Sequence, residues 1–279
     1  MIKAEIIADS LSPAGVRLTT FVLTYPGFIH AEFMTHRVFS RNASSSRVIP
    51  FSRQIQMIEE ETAEPLSFTA NQRGMQGGED IEDQEEARKL WRAARDAAIA
   101  YAKQLNAMEV HKQYVNRIIE PFSHITVVCT ATDFDNFFGL RKHHMAQPEI
   151  HELANKMYEE YSTNKPIQLE SGEWHLPFVR AEERVNHIHG QVIKSVARCA
   201  RVSYNNHDGT PSEFGKDMEL YSRLVGAQPI HASPAEHQAM AIPDRNIRSG
   251  NFRGWIQYRK TLDNENITKF EPGMFEEEK

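Results

Sequence analysis

Cysteine is scarce in this sequence: only Cys129 and Cys199 occur in 279 residues, each within an apolar segment. Two thiols so placed exclude a disulfide framework and are expected to be buried and reduced. Long hydrophobic runs are also lacking. No stretch approaches the roughly 20 apolar residues that span a bilayer, and the first nine residues have no extended apolar core of the signal-peptide kind. A soluble, cytoplasmic chain with no membrane partner is expected. Positive charge is not in excess, with 32 Lys and Arg against 38 Asp and Glu, a net charge of −6 and a pI near 6.1. That balance excludes a whole surface built to attract nucleic acid, while leaving room for a local basic pocket that takes a small anion. Glycine-rich phosphate loops are missing as well. No G-x-G-x-x-G, G-x-x-x-x-G-K-[ST] or G-x-S-x-G occurs, so any dinucleotide must be held by another device. Fixed-period repeats, low-complexity tracts and sustained heptads are absent too.

What is present is enough for a real core, with 40% apolar and 25% charged residues in 32.0 kDa. Residues 2–8 and 16–25 are rich in β-branched and aromatic side chains and flank a turn near Ser12-Pro13-Ala14-Gly15, which predicts a hairpin. Helical spacing follows at 28–35 and 51–62, then a loop over 63–78. Residues 80–108 predict the longest helix, with acidic residues in its first turns; a shorter helix at 111–120 stops at Pro121. A strand is expected at 125–130, then helices at 133–144 and 149–161 broken near Pro148. Pro166, Gly172 and Pro177 mark 164–178 as a candidate linker or lid. Further helices are expected at 186–204 and 212–225. At Ser233-Pro234-Ala235-Glu236 the order predicts a helix start, with Ser233 as N-cap, Pro234 at the first position and Glu236 completing a capping box.

The densest chemistry lies at 34–47, where Arg37, Arg41 and Arg47, His36, Asn42 and four serines share fourteen positions. Guanidinium forks among hydroxyls suit a phosphate; the plain alternative is a solvated basic loop. Histidines cluster at 143, 144 and 151, at 187 and 189, and at 231 and 237 beside Glu236, but without His-Glu-x-x-His or a cysteine among them no metal is expected. Cys129 suits a core thiol better than a nucleophile. Arg245, Arg248, Arg253, Arg259 and Lys260 surround Trp255 and Tyr258, which leaves a nucleic-acid-binding reading open, with the two aromatics as stacking groups.

The run His36-Arg37, seven residues, Ser45 resembles the signature of the flavin-dependent thymidylate synthases, the ThyX family, with Ser40, Asn42 and Arg47 also in place. Four further segments resemble that family. They are Ala200-Arg201-Val202-Ser203-Tyr204, His231-Ala232-Ser233-Pro234-Ala235-Glu236-His237, and the pair Arg117-Ile118-Ile119-Glu120-Pro121 and Asn136-Phe137-Phe138-Gly139-Leu140-Arg141. Their order differs from that of well-known members: the segments at 200 and 231 follow the signature instead of preceding it, as in a circular permutation. Thr35 stands where the signature has its first Arg, and the family's Asn-x-Arg falls on Thr130-Ala131-Thr132, with Arg253 a candidate for the missing charge.

The resemblance implies an α+β fold, a sheet with packed helices forming a single ThyX-like domain over 1–279, in a homotetramer with active sites between subunits. It implies that His36, Arg37, Asn42, Asn136, Ser203, His231, Ser233 and Glu236 surround FAD. It further implies that Ser45, Ser46, Arg47, Arg117 and Arg141 bind uridylate, Arg141 being catalytic by polarising the pyrimidine ring. The expected reaction is reductive methylation of dUMP to dTMP with methylenetetrahydrofolate as carbon donor and NADPH as reductant. The alternatives are a ThyX-like enzyme acting on another pyrimidine nucleotide or adding another one-carbon group, and the nucleic-acid-binding reading.

Overall fold

Alternating β-branched and aromatic residues make β1 (Lys3–Leu11) and β2 (Arg17–Pro26), which pair antiparallel from Lys3 opposite Thr24 to Leu11 opposite Arg17. The computed structural model describes residues 1–74, 76–184, 187–202, 213–269, 271 and 274. After β2 the expected helix at 28–35 divides into a 3-10 turn and the short α1 (His30–Met34). Then come β3 (Ser40–Ala43) and α2 (Phe51–Glu60). The longest helix, α3 (Gln84–Ala107), starts later than 80 because Asp80 bridges Thr69 and the Asp83 carboxylate accepts from Glu86 N at 2.9 Å, which caps the helix there. Next are α4 (Lys112–Ile119), β4 (His124–Ala131), α5 (Asp135–Arg141) and α6 (Pro148–Thr163). Pro148 opens α6 rather than merely interrupting a longer helix, since a first-turn proline loses no hydrogen bond.

The 164–178 segment holds β5 (Ile167–Gln168) and β6 (Trp174–His175), with Leu169, His175 and Leu176 buried. α7 (Ile188–Ala200) and α8 (Phe214–Val225) pack on each other. Residues 203–212, between them, lie outside the described residues. The chain closes with β7 (Ala239–Ala241), β8 (Arg248–Ser249), β9 (Phe252–Arg253) and β10 (Trp255–Gln257). The acidic run 276–278 lies outside the described residues.

The protein is α+β. Its five-stranded sheet has the order β3-β4-β2-β1-β5, antiparallel except for β5 beside β1. The two-residue period of a strand sends Phe21, Leu23 and Tyr25 of β2 and Val127 and Cys129 of β4 to one face. There they meet Phe33, Phe39, Phe134 and Phe137, and Ile150, Leu153 and Met157 of α6. The opposite face carries Thr20 and Thr130, directly paired, and is covered by the three-stranded sheet β10-β7-β6. Between the two sheets runs a buried chain of hydrogen bonds. Ser10 Oγ contacts His175 Nδ1 at 2.9 Å, His175 Nε2 contacts Thr20 Oγ1 at 2.8 Å, Thr20 shares a 2.7 Å bond with Thr130, and Thr130 Oγ1 contacts His237 Nδ1 at 2.8 Å.

Candidate functional site

Pairing with β4 turns Ser40 and Asn42 of β3 to the same face, where each is held by residues far away in the chain. Ser40 Oγ accepts from Gln257 Nε2 at 3.1 Å. Asn42 donates Nδ2–H to Cys199 O at 2.8 Å, and its Oδ1 accepts from Ser233 Oγ at 3.1 Å. Past β3, Ser44 still follows the edge of β4, its N–H donating to Thr126 O at 2.8 Å. Ser45 Oγ then accepts from Arg47 N at 3.3 Å. These turns bring Asn42, Ser45, Arg47, His111, His231 and Ser233 to the wall of a cavity of about 400 Å³. Arg47 is exposed, and no carboxylate is among the lining residues. The lining therefore offers one guanidinium, hydroxyls, two amides and imidazoles beside Ala43, Leu224 and Pro234, a set suited to a flat anionic ligand.

Ser233 does not cap an α-helix. Residues Ser233–Glu236 form a single 3-10 turn whose N-cap is Ala232, and the chain enters β7 after His237 and Gln238. The capping groups are used elsewhere: the Ser233 hydroxyl donates to Asn42, and the Glu236 carboxylate forms an ion pair with Arg259. His231 is exposed but tied down by its N–H, which donates to Leu224 O at 2.9 Å.

Ser46 faces away from Ser45. It donates to Glu120 Oε1 at 3.1 Å and lines, with Arg117, Gln54 and His124, a second cavity of about 380 Å³. Arg117 pairs with Glu120 at 2.9 Å. A third cluster gathers at the end of α5, where Arg141 donates Nε–H to His36 Nε2 at 2.9 Å and Nη2–H to Thr35 Oγ1 at 3.3 Å. Burial, aided by the positive charges of Arg141 and Arg41, lowers the His36 pKa to about 4, so its imidazole is neutral at pH 7. Arg37 and Asn136 are exposed near this cluster in sequence. Ser203 lies outside the described residues.

The basic segment at 245–260 cannot offer its aromatics to bases. Trp255 is fully buried, its indole N–H donating to Val16 O at 3.1 Å, and Tyr258 meets the hydroxyl of Tyr221. Its charges are largely matched, Arg253 with Asp133, Arg259 with Glu236 and Lys260 with Glu265. Arg253 is thus committed to Asp133 rather than free to replace the arginine absent at position 35. Among the described residues no three His, Cys, Asp or Glu side chains form a metal-holding group, and no helix is long and apolar enough to cross a membrane.

The sequence model of the family described as thymidylate synthase complementing protein matches residues 6–167, more than half of the chain. The chain belongs to that family, the ThyX proteins. The matched span contains the signature stretch and α5, but not the segments at 200–204 and 231–237. Those segments have no neighbours in sequence to declare them, yet Ser233 sits on Asn42 across 191 positions. Two similar solved structures are of PolB, a UMP/dUMP methylase from Streptomyces cacaoi. With 5-Br UMP bound, it has 16% identity over 58% of this chain and 89% of that chain, at a TM-score of 0.47. With 5-Br dUMP bound, the figures are 15%, 58% and 90%, at 0.49. No curated protein matches the sequence.

Two features of the site escaped the sequence motifs. His111 and Gln113 line the first cavity although they lie in no ThyX segment, and Thr35, a departure from the signature, turns out to touch Arg141. Neither contact leaves a local trace in the sequence, since each depends on α4 or α5 packing beside the signature.

Proposed function

We propose that the protein is a flavin-dependent thymidylate synthase: it converts dUMP to dTMP, with methylenetetrahydrofolate giving the carbon and NADPH the reducing electrons. The observation that carries this reading is the shared cavity, whose walls join Asn42, Ser45 and Arg47 of the signature to His231 and Ser233. A cradle with a guanidinium and no carboxylate fits the phosphates of FAD or uridylate, and its apolar side fits a flat ring. His36, Arg37, Asn42, Asn136, His231, Ser233 and Glu236 are proposed for the flavin, together with Ser203. Ser45, Ser46, Arg47, Arg117 and Arg141 are proposed for the nucleotide.

Bound flavin would supply the hydride that the transfer needs. The chain's own residues bind and polarise. Arg47 is placed to pair with a phosphate, and Arg141 keeps Nη1 without a partner among the described residues, available to a pyrimidine carbonyl on which negative charge develops. A thiolate attack on the ring has no support, because Cys129 and Cys199 are fully buried and burial raises both thiol pKa values. The exposed apolar side chains Met34, Val38 and Leu140 beside Arg37 and Arg141 support a site completed by another subunit of a homotetramer.

The test is the visible spectrum of the purified protein. Flavin absorbance that dUMP perturbs is expected, followed by turnover with dUMP, methylenetetrahydrofolate and NADPH. Colourless protein that takes up no added FAD would overturn the reading, and product from UMP or dCMP in preference to dUMP would reassign the substrate.

A further inference from the structure

We infer that Thr35 and His36 are positioning residues for Arg141, holding its guanidinium in one pose with Nη1 left to meet the nucleotide ring. The inference rests on the uridylate reading above and concerns a position where this chain departs from the ThyX signature.

Arg141 has five N–H groups, and the chain uses them unevenly. Nε–H goes to His36 Nε2 at 2.9 Å, and Nη2 reaches both Thr35 Oγ1 at 3.3 Å and Glu32 O at 3.5 Å. Nη1 has no partner among the described residues. The two side-chain acceptors are themselves fixed. Thr35 donates its hydroxyl proton to Glu32 O at 2.7 Å, which turns its lone pairs outward to Arg141. The His36 ring stacks against Phe39, with centroids 5.8 Å apart, and meets the edge of Phe137 at 4.9 Å. Because Nε2 accepts from a guanidinium, the ring must be the neutral tautomer with its proton on Nδ1. Burial and the cations Arg141 and Arg41 that face it from α5 and β3 keep it so. Arg41 adds the last restraint, donating to Met34 O at 2.8 Å and His36 O at 3.1 Å and so holding the 34–36 turn that carries both acceptors.

This arrangement gives Thr35 a role of its own. An arginine there would bring a second cation onto the guanidinium of Arg141 and remove the acceptor, so restoring the signature letter would displace Arg141 instead of helping it.

The experiment is an equilibrium titration of the flavin-loaded protein with dUMP. Thr35→Val, which keeps the shape and loses the acceptor, is expected to weaken binding about tenfold, the cost of one hydrogen bond to a charged group. Thr35→Ser should bind like the wild type, and Thr35→Arg should bind more weakly. Unchanged affinity in Thr35→Val, or tighter binding in Thr35→Arg, overturns the inference. An NMR titration of His36 needs no nucleotide: Arg141→Gln should raise its pKa by about one unit as the neighbouring cation is lost, and no change would overturn the dock. Wild-type protein that binds no dUMP refutes the uridylate reading, and the dock is then judged on the His36 titration alone.

Discussion

Two histidines show how burial turns a side chain into a pH sensor of stability. His175 and His237 are fully buried, their rings bonded through Thr20 and Thr130, and burial lowers both pKa values to about 3. The unfolded chain takes up their protons near pH 6.5, while the folded protein resists until far lower. Their contribution is therefore complete above about pH 6.5 and is lost progressively as the pH falls toward 3, each ring adding a slope of at most about 1.4 kcal/mol per pH unit. Thermal melts should show a Tm that this pair leaves level from pH 7.5 to about 6.5 and lowers steadily from there to about 4.5, and His175→Gln should flatten that fall; a Tm independent of pH below about 6.5 would contradict the buried network. At the cavity, the exposed Arg47 belongs to a different regime, with its charge free to meet a ligand. Arg47→Ala is expected to raise the Kd for dUMP about tenfold or more by calorimetry, with Arg47→Lys recovering only part because it loses the planar fork. Equal affinity in both variants would remove Arg47 from the site.

At the scale of elements, the site depends on strands distant from it. β9 and β10 are joined through Gly254, which has φ +73° and donates to Ile247 O at 2.8 Å. A Cβ there would lie 2.8 Å from Val16 Cγ2. The turn delivers Trp255 to Val16 O and Gln257 to both Ser40 Oγ and Glu236 O, tying β3 to the turn that carries Ser233. Gly254→Ala should cost about 2 kcal/mol, from the left-handed backbone and the clash together. Urea denaturation would read this as a lower midpoint, and flavin uptake should weaken in the same variant. The Ser233 turn teaches a related point. Its Ser-Pro-x-Glu order is a sound helix signal, yet Asn42 and Arg259 take the two capping side chains and β7 pairing claims the chain from Ala239.

At the scale of the molecule, contact brings the Ser233 turn onto Asn42 across 191 positions of the chain. Sedimentation should give a particle of about four 32.0 kDa chains, as the proposed shared site requires. A stable monomer with full activity would refute subunit sharing. Both thiols lie in the interior, Cys129 on the aromatic core under α6 and Cys199 behind Asn42. Neither should react with a thiol reagent in the native protein, and both should react in denaturant. Rapid native labelling of Cys199 would show that the wall of the first cavity opens.

Local pattern alone determined the β1–β2 hairpin, β4, α3 and α6, because strand alternation, helical spacing and a first-turn proline act over a few residues. The signature itself, with the segment ending at Arg141, also determined the family. Only the tertiary structure decided which of the neighbours Ser45 and Ser46 faces which cavity, since that follows from where the chain leaves β4. It also decided that Trp255 is core, that Glu236 serves Arg259, and that Thr35 and His36 hold Arg141. Each of these last contacts joins residues brought together by packing, and the free energy of such a contact leaves no mark on the residues beside it in the chain.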